Sequence, residues 1–164
     1  MGFELKSIQD DVIKYANILA SVLSVDVEIV DSKLNRIAGT GMFKNKINQN
    51  ILAEGYIYKN VIETGKIRII KNPGEHSLCK KCINQGNCLE KLELSSPIKL
   101  DEEIIGVIGL VCSDDNQKEV LLKKLDTHLA FLNQISDFIS AKVHEYMEIE
   151  RDKNNISVLK QIIN

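Results

Sequence analysis

The sequence predicts an α+β domain, with a central antiparallel sheet and long amino- and carboxy-terminal helices packed on one face. Three observations carry this. Apolar residues step by three and four at both ends of the chain, the spacing of one helix face. Segments between them alternate apolar and polar residues, as half-buried strands do. One further segment, "EIIGVIGLVC" (Glu103 to Cys112), is apolar at almost every position, which suits a strand covered on both faces.

The first helix is predicted from the stripe Leu5, Ile8, Val12, Tyr15, Leu19 and Val22. "VDVEIVD" (Val25 to Asp31) and "LNRIAGTG" (Leu34 to Gly41) come next as a hairpin across Ser32-Lys33. The Gly39-Thr40-Gly41 triplet lacks the further glycine and the Lys-Ser/Thr ending of a phosphate loop. "GYIYKNVIETGK" (Gly55 to Lys66) reads as a short helix stopped by Gly65, and "IRIIK" (Ile67 to Lys71) as a strand ended by Asn72-Pro73-Gly74. "LELSSPIKL" (Leu92 to Leu100) pairs with Glu103–Cys112 around Asp101-Glu102. Pro97 has no N–H to donate, so its strand is expected at an edge or bulged there.

A long helix is expected from Asn116 to Arg151, about 54 Å if unbroken. Leu122, Leu125, Leu129, Leu132, Ile139, Val143 and Tyr146 form its stripe, interrupted by Ser136. "RDKNN" (Arg151 to Asn155) breaks the pattern before a last apolar segment. Residues 1–150 therefore read as one domain, and 151–164 as a linker and the start of a following segment. The two stripes offer more apolar surface than one small sheet needs, which predicts a homodimer through the terminal helices.

Composition limits the chemistry. The 164 residues are 44% hydrophobic and 27% charged, with net charge −2, the balance of a soluble globular domain. No global field points to nucleic acid or membrane. Aromatics are 5% and tryptophan is absent, which disfavours a base-stacking surface. The amino terminus is charged rather than a signal sequence, and Lys6 stands where a myristoylation signal needs Ser or Thr. The longest apolar run, Ile104 to Cys112, is too short to span a bilayer. The expected compartment is the cytoplasm, where disulfides are rare.

The four cysteines are the chemical signal. Cys79, Cys82 and Cys88 have a C-x2-C-x5-C spacing within loop 72–91, and Cys112 ends the last strand. With Leu100 and Glu103 flanking a two-residue turn, Cys112 falls opposite Lys91; a one-residue shift of the turn puts it opposite Glu93. Either register returns Cys112 to the mouth of the loop, so a four-thiolate metal site is predicted. Lys80, Lys81 and Lys91 are expected to favour the thiolates. An iron–sulfur cluster is the first candidate and zinc the alternative, with metal-free thiols the remaining option. His76 is an alternative ligand to Cys112. The other histidines, His128 and His144, are scattered, and no catalytic constellation stands out.

"VIETGKIRIIKNP" together with the later "PIKLDEEIIGVIGLV" resembles the GAF family of sensory domains over roughly Leu5 to Val143. The inserted "NPGEHSLCKKCINQGNC" is similar to the amino-terminal sensory region of clostridial-type sigma-54-dependent transcriptional activators. Relatives there carry a cysteine before the hairpin proline, where this chain has Ser95 and Ser96. The resemblance implies a non-enzymatic regulatory domain. It would sense a small molecule, redox state or metal cofactor and signal through its terminal helices. No nucleic-acid contact is expected within these residues. Two other classes are a thiol enzyme on a GAF scaffold, akin to methionine sulfoxide reductases, and an interaction module pinned by zinc.

Overall fold

The computed structural model describes residues 5–164. Met1–Glu4, including the Met-Gly start weighed against acylation, lie outside the described residues. A 3-10 turn, Leu5–Ile8, leads into α1, Gln9–Leu23. Strands β1 (Asp26–Asp31) and β2 (Arg36–Gly39) form the first hairpin. A second 3-10 turn, Gly41–Lys46, precedes α2 (Tyr56–Thr64) and β3 (Arg68–Ile70). Strands β4 (Leu92–Leu100) and β5 (Glu103–Cys112) form the second hairpin, and α3 (Asp115–Lys123) and α4 (Leu125–Ile163) complete the fold.

All strand pairings are antiparallel, in the order β2-β1-β5-β4-β3. The apolar β5 is central, as its composition predicts. Pro97 sits beyond the end of β3, which reaches only as far as Ser95. Its missing N–H therefore leaves no outer neighbour unpaired. A bulge comes next, at Ile98/Lys99.

The two faces of the sheet are covered differently. On one, α1 and α4 pack together over the main core, which includes Leu5, Val12, Leu19, Val27, Ile29, Leu94, Leu110, Leu132 and Ile139. On the other, α2 lies over Val30 and Val107 through Tyr58 and Val61. The α2 helix stops at Gly65, whose left-handed backbone donates N–H to the Val61 carbonyl, as glycine does most cheaply.

Three expectations need correcting. The buried face of α1 continues through Ala16 and Leu23, with Tyr15 packed at its margin and Val22 61% exposed. Strict three-four stepping drifts off a 3.6-residue period, so the last member leaves the core. Second, the carboxy-terminal helix does not start unbroken at Asn116. The chain turns at Lys124 (φ −125°, ψ 46°), which lets Leu121 seat in the core before α4 sets off. Third, α4 runs straight through "RDKNN" to Ile163, because no residue there is a helix breaker. Ser136, the gap in the stripe, is buried and donates its hydroxyl to the Pro97 carbonyl. The residues Leu132 and Ile139 are consumed by the protein's own sheet, so neither is available to a second chain.

Truncating Ile139 to Ala should cost about 2–5 kcal/mol in urea unfolding. Val22→Ala should stay within about 0.5 kcal/mol in the same assay. Equal losses at the two sites would contradict this assignment of the α1 and α4 faces.

Candidate functional site

The β4–β5 register decides where the cysteines go. Next to the turn, Leu100 pairs with Glu103 and Lys99 with Ile104, as the two-residue turn predicts. The bulge then adds one residue, so that Leu92, neither Lys91 nor Glu93, lies opposite Cys112. A one-residue change moves a side chain to the other face of a sheet. Cys112 consequently shares the face of Leu92 and Leu110 and is fully buried in the α1/α4 core. Its backbone does return to the loop, where its carbonyl accepts from Lys91 N–H at 2.7 Å. The thiol, however, is not brought to the other three, and the predicted four-cysteine set is not assembled. His76 is not brought there either. Its Nδ1 accepts from Leu78 N–H, and it faces a neighbouring groove with Leu122 and Leu125.

Cys79, Cys82 and Cys88 do come together, on the α2 side. They line one cavity of about 180 Å³, with the sheet as floor, α2 as one wall and the cysteine loop as another. One water needs only about 10–15 Å³, so the space admits a small organic molecule. Cys79 is buried against Ile57 and Ile70. The loop is tied to the segment before α2 by three contacts. Ile83 N–H donates to Ala53 O at 3.0 Å, Asn84 Nδ2 donates to Glu54 Oε2 at 2.8 Å, and the Cys82 thiol donates to Glu54 O at 3.7 Å. Gly109 makes room for the α2 wall: a Cβ there would lie 2.0 Å from the Tyr58 hydroxyl.

The cavity floor holds charges that the sequence pattern does not announce. "VDVEIVD" predicts a strand with a solvated acidic face, yet β1 is covered on both sides and Glu28 is only 3% exposed. Glu93 on β4, across β5 on the same face, is buried as well, accepting from Ser95 Oγ at 2.9 Å. Arg36 is buried too. Its Nη2 reaches Glu28 Oε2 at 3.4 Å and Glu54 Oε1 at 3.2 Å, and Nη1 donates to Lys46 O at 3.0 Å. Its guanidinium lies 5.4 Å from the Phe43 ring centre, and its Nε is buried without a hydrogen-bond partner. The one available signal was the pair of opposite charges, Glu28 and Arg36, on two strands predicted to form a hairpin.

Burial dominates the acid–base chemistry. It pushes the Glu28 carboxyl up to about 7, although Arg36 pulls the other way. The Glu90 and Glu93 carboxyls are raised as well, first by burial; Glu54 adds to the rise at Glu90 although its hydrogen bond with Glu93 opposes it, and Glu90 and Glu28 add to the rise at Glu93. Burial also raises the thiols of Cys82 and Cys88, and neighbouring Glu90 adds to this. The expected help from lysines is absent at these two thiols. Lys80, Lys81 and Lys91 are exposed, and the nearest charges are carboxyl groups. Among the described residues, no three His, Cys, Asp or Glu side chains already converge on a common metal position.

The five-stranded antiparallel sheet with α1 and α4 on one face and a cavity under α2 is the architecture of a GAF-like domain. The A. aeolicus nlh2 GAF domain, in an inactive state, superposes with a TM-score of 0.58 at 18% identity, covering 80% of this chain and 83% of that one. A type II free methionine-R-sulfoxide reductase from Thermoplasma acidophilum gives 0.61 at 16% identity, covering 88% and 97%. No family model matches the chain. A stronger tie is in sequence. The chain is 31% identical over 141 residues, 86% of its length, to a protein of Escherichia coli (strain K12) provisionally named a uric acid sigma-54-dependent transcriptional regulator, UacR. It spans 24% of that protein's length. The chain is thus a GAF-like domain of the kind carried by sigma-54-dependent transcriptional regulators. No helix among the described residues is long and apolar enough to cross a membrane.

The raised carboxyls fix a pH dependence. A group that holds its proton more tightly when folded contributes its full stability below its unfolded pKa, and that contribution is lost as pH rises towards the folded value. For Glu28 the window runs from 4.5 to about 7, and Glu90 and Glu93 act in the same direction. Unfolding free energy in urea should therefore fall across this window, and Glu28→Gln should flatten the fall. A profile that rises with pH in wild type would refute the assignment.

Proposed function

We propose that this domain is the regulatory sensor of a transcriptional regulator, binding a small nitrogen-rich molecule in the cavity beneath α2. The observation that carries the reading is the cavity itself, floored by the buried carboxyl groups of Glu28 and Glu93 and walled by Phe43, Glu54 and the cysteine loop. A buried carboxyl raised to about 7, as Glu28 is, can both donate to carbonyl oxygens and accept from N–H groups. A planar heterocycle rich in N–H and C=O groups meets that requirement, and Phe43 and Tyr56 add flat apolar wall. Uric acid has this chemistry, and the name of the related E. coli protein points the same way.

The thiols support sensing rather than turnover. Catalytic cysteines need a depressed pKa, whereas burial raises Cys82 and Cys88. We therefore read the domain as non-enzymatic, although methionine-R-sulfoxide reductases share its fold.

Output runs through α4, which contacts the sheet and α1 and then continues outward. Beyond the core, Ile149, Ile156 and Ile163 recur at intervals of seven, with Leu159 between them. All four are exposed. This is the seam of a two-stranded coiled coil, and a parallel homodimer through it would couple two sensor domains along one rod. The proposed contact is thus the far half of α4, not the Leu5–Val22 stripe.

Calorimetry with uric acid tests the ligand class. Saturable binding is expected, with at least tenfold loss in Glu93→Ala that circular dichroism shows to be folded. No heat with uric acid would refute this choice of ligand. Separately, sedimentation should show a dimer that Ile156→Asp with Leu159→Asp converts to monomer; a monomeric wild type at high concentration would exclude the coiled coil.

A further inference from the structure

We infer that Cys79, Cys82 and Cys88 bind one zinc ion, with Glu90 as fourth ligand, and that this ion pins the loop forming the cavity wall. The inference rests on the position of the loop and not on the identity of any organic ligand.

All three thiols and the Glu90 carboxyl line the same cavity. Asn84 N–H, two residues downstream, donates to Cys82 Sγ at 3.4 Å, an outer contact of the kind that orients a metal ligand. Cys79 is anchored in an apolar pocket, so one ligand is already fixed.

The ligand set discriminates among metals. With Cys112 on the far side of the sheet, three thiolates and one carboxylate remain. Tetrahedral zinc accepts sulfur and oxygen donors together, whereas iron–sulfur clusters are held chiefly by four cysteines. The sulfurs are not yet at ligand positions, so the loop must tighten to Zn–S distances of about 2.3 Å. Gly74 and Gly86, both in positive-φ conformations (91° and 86°), give the loop points where backbone can adjust. On binding, the three thiol protons are released to solvent as the thiolate–zinc bonds form.

The test uses the full chain, reduced and stripped of metal, with zinc alone added in competition with a chromophoric chelator. One zinc per chain is expected. Cys82→Ser and Cys88→Ser, at half-buried positions that should not disturb folding, should each weaken binding at least tenfold. Glu90→Gln should weaken it too, and Cys112→Ser should leave it unchanged. Cobalt in place of zinc should show thiolate charge-transfer bands and tetrahedral ligand-field bands. Zinc uptake no greater than that of a Cys79/Cys82/Cys88 triple serine variant would overturn the site. So would an equal loss in Cys112→Ser. Stoichiometric iron and acid-labile sulfide in anaerobically purified protein would overturn the choice of zinc, and unchanged affinity in Glu90→Gln the choice of fourth ligand.

Discussion

A buried strand gives each side chain one of two faces, and β5 imposes that choice on the whole domain. Its even positions from Ile108 to Cys112 belong to the α1/α4 core, and Val107 and Gly109 to the α2 side. The neighbouring strands inherit the division through their register. Val27 and Ile29 of β1 and Leu92 and Leu94 of β4 join the core, leaving Glu28 and Glu93 on the cavity side. The polar cavity and the apolar core are therefore separated by no more than one sheet. A bulge at Ile98/Lys99 corrects the hairpin so that this division holds along its length. Without it the Cys112 thiol would share Glu93's face.

The order of elements was legible because each one is strongly patterned. The Gly65 stop, the central place of the apolar β5 and the unusual position of Pro97 all arise from local chemistry. The candidate site was legible only in part. Three cysteines in one loop announce themselves, and the structure does gather them. Their fourth partner depended on counting residues across a hairpin, and a bulge that leaves Ile105 unpaired changes that count by one without a clear sign in "EEIIGV". Glu28 looked like a solvated residue because alternation says which residues share a face, not what covers it. The break at Lys124 was hidden for a related reason: Lys is a good helix former, and the turn exists because Leu121 packs inward.

Arg36 shows what the cavity costs the fold. Placing a guanidinium and several carboxyls away from water opposes folding unless they satisfy one another. Here Glu28, Glu54 and the Lys46 carbonyl meet two of the guanidinium nitrogens, and the third, Nε, is left without a partner. A domain selected only for stability would fill this space with apolar side chains. Local departures from good packing gather where a protein does its work, and raised carboxyls with thiols in one cleft are such a departure.

The length of α4 has a mechanical consequence. Its last buried residue is Val143, and the twenty residues from there to Ile163 reach about 30 Å further. A rod that packs on the sheet over only part of its length acts as a lever. A small tilt where Ser136 and Ser140 grip the β4 carbonyls becomes a several-fold larger sweep at the tip. Those carbonyls belong to the strand that also carries Glu93. The cavity floor and the grip on α4 thus share one strand, close to the point about which such a lever would turn.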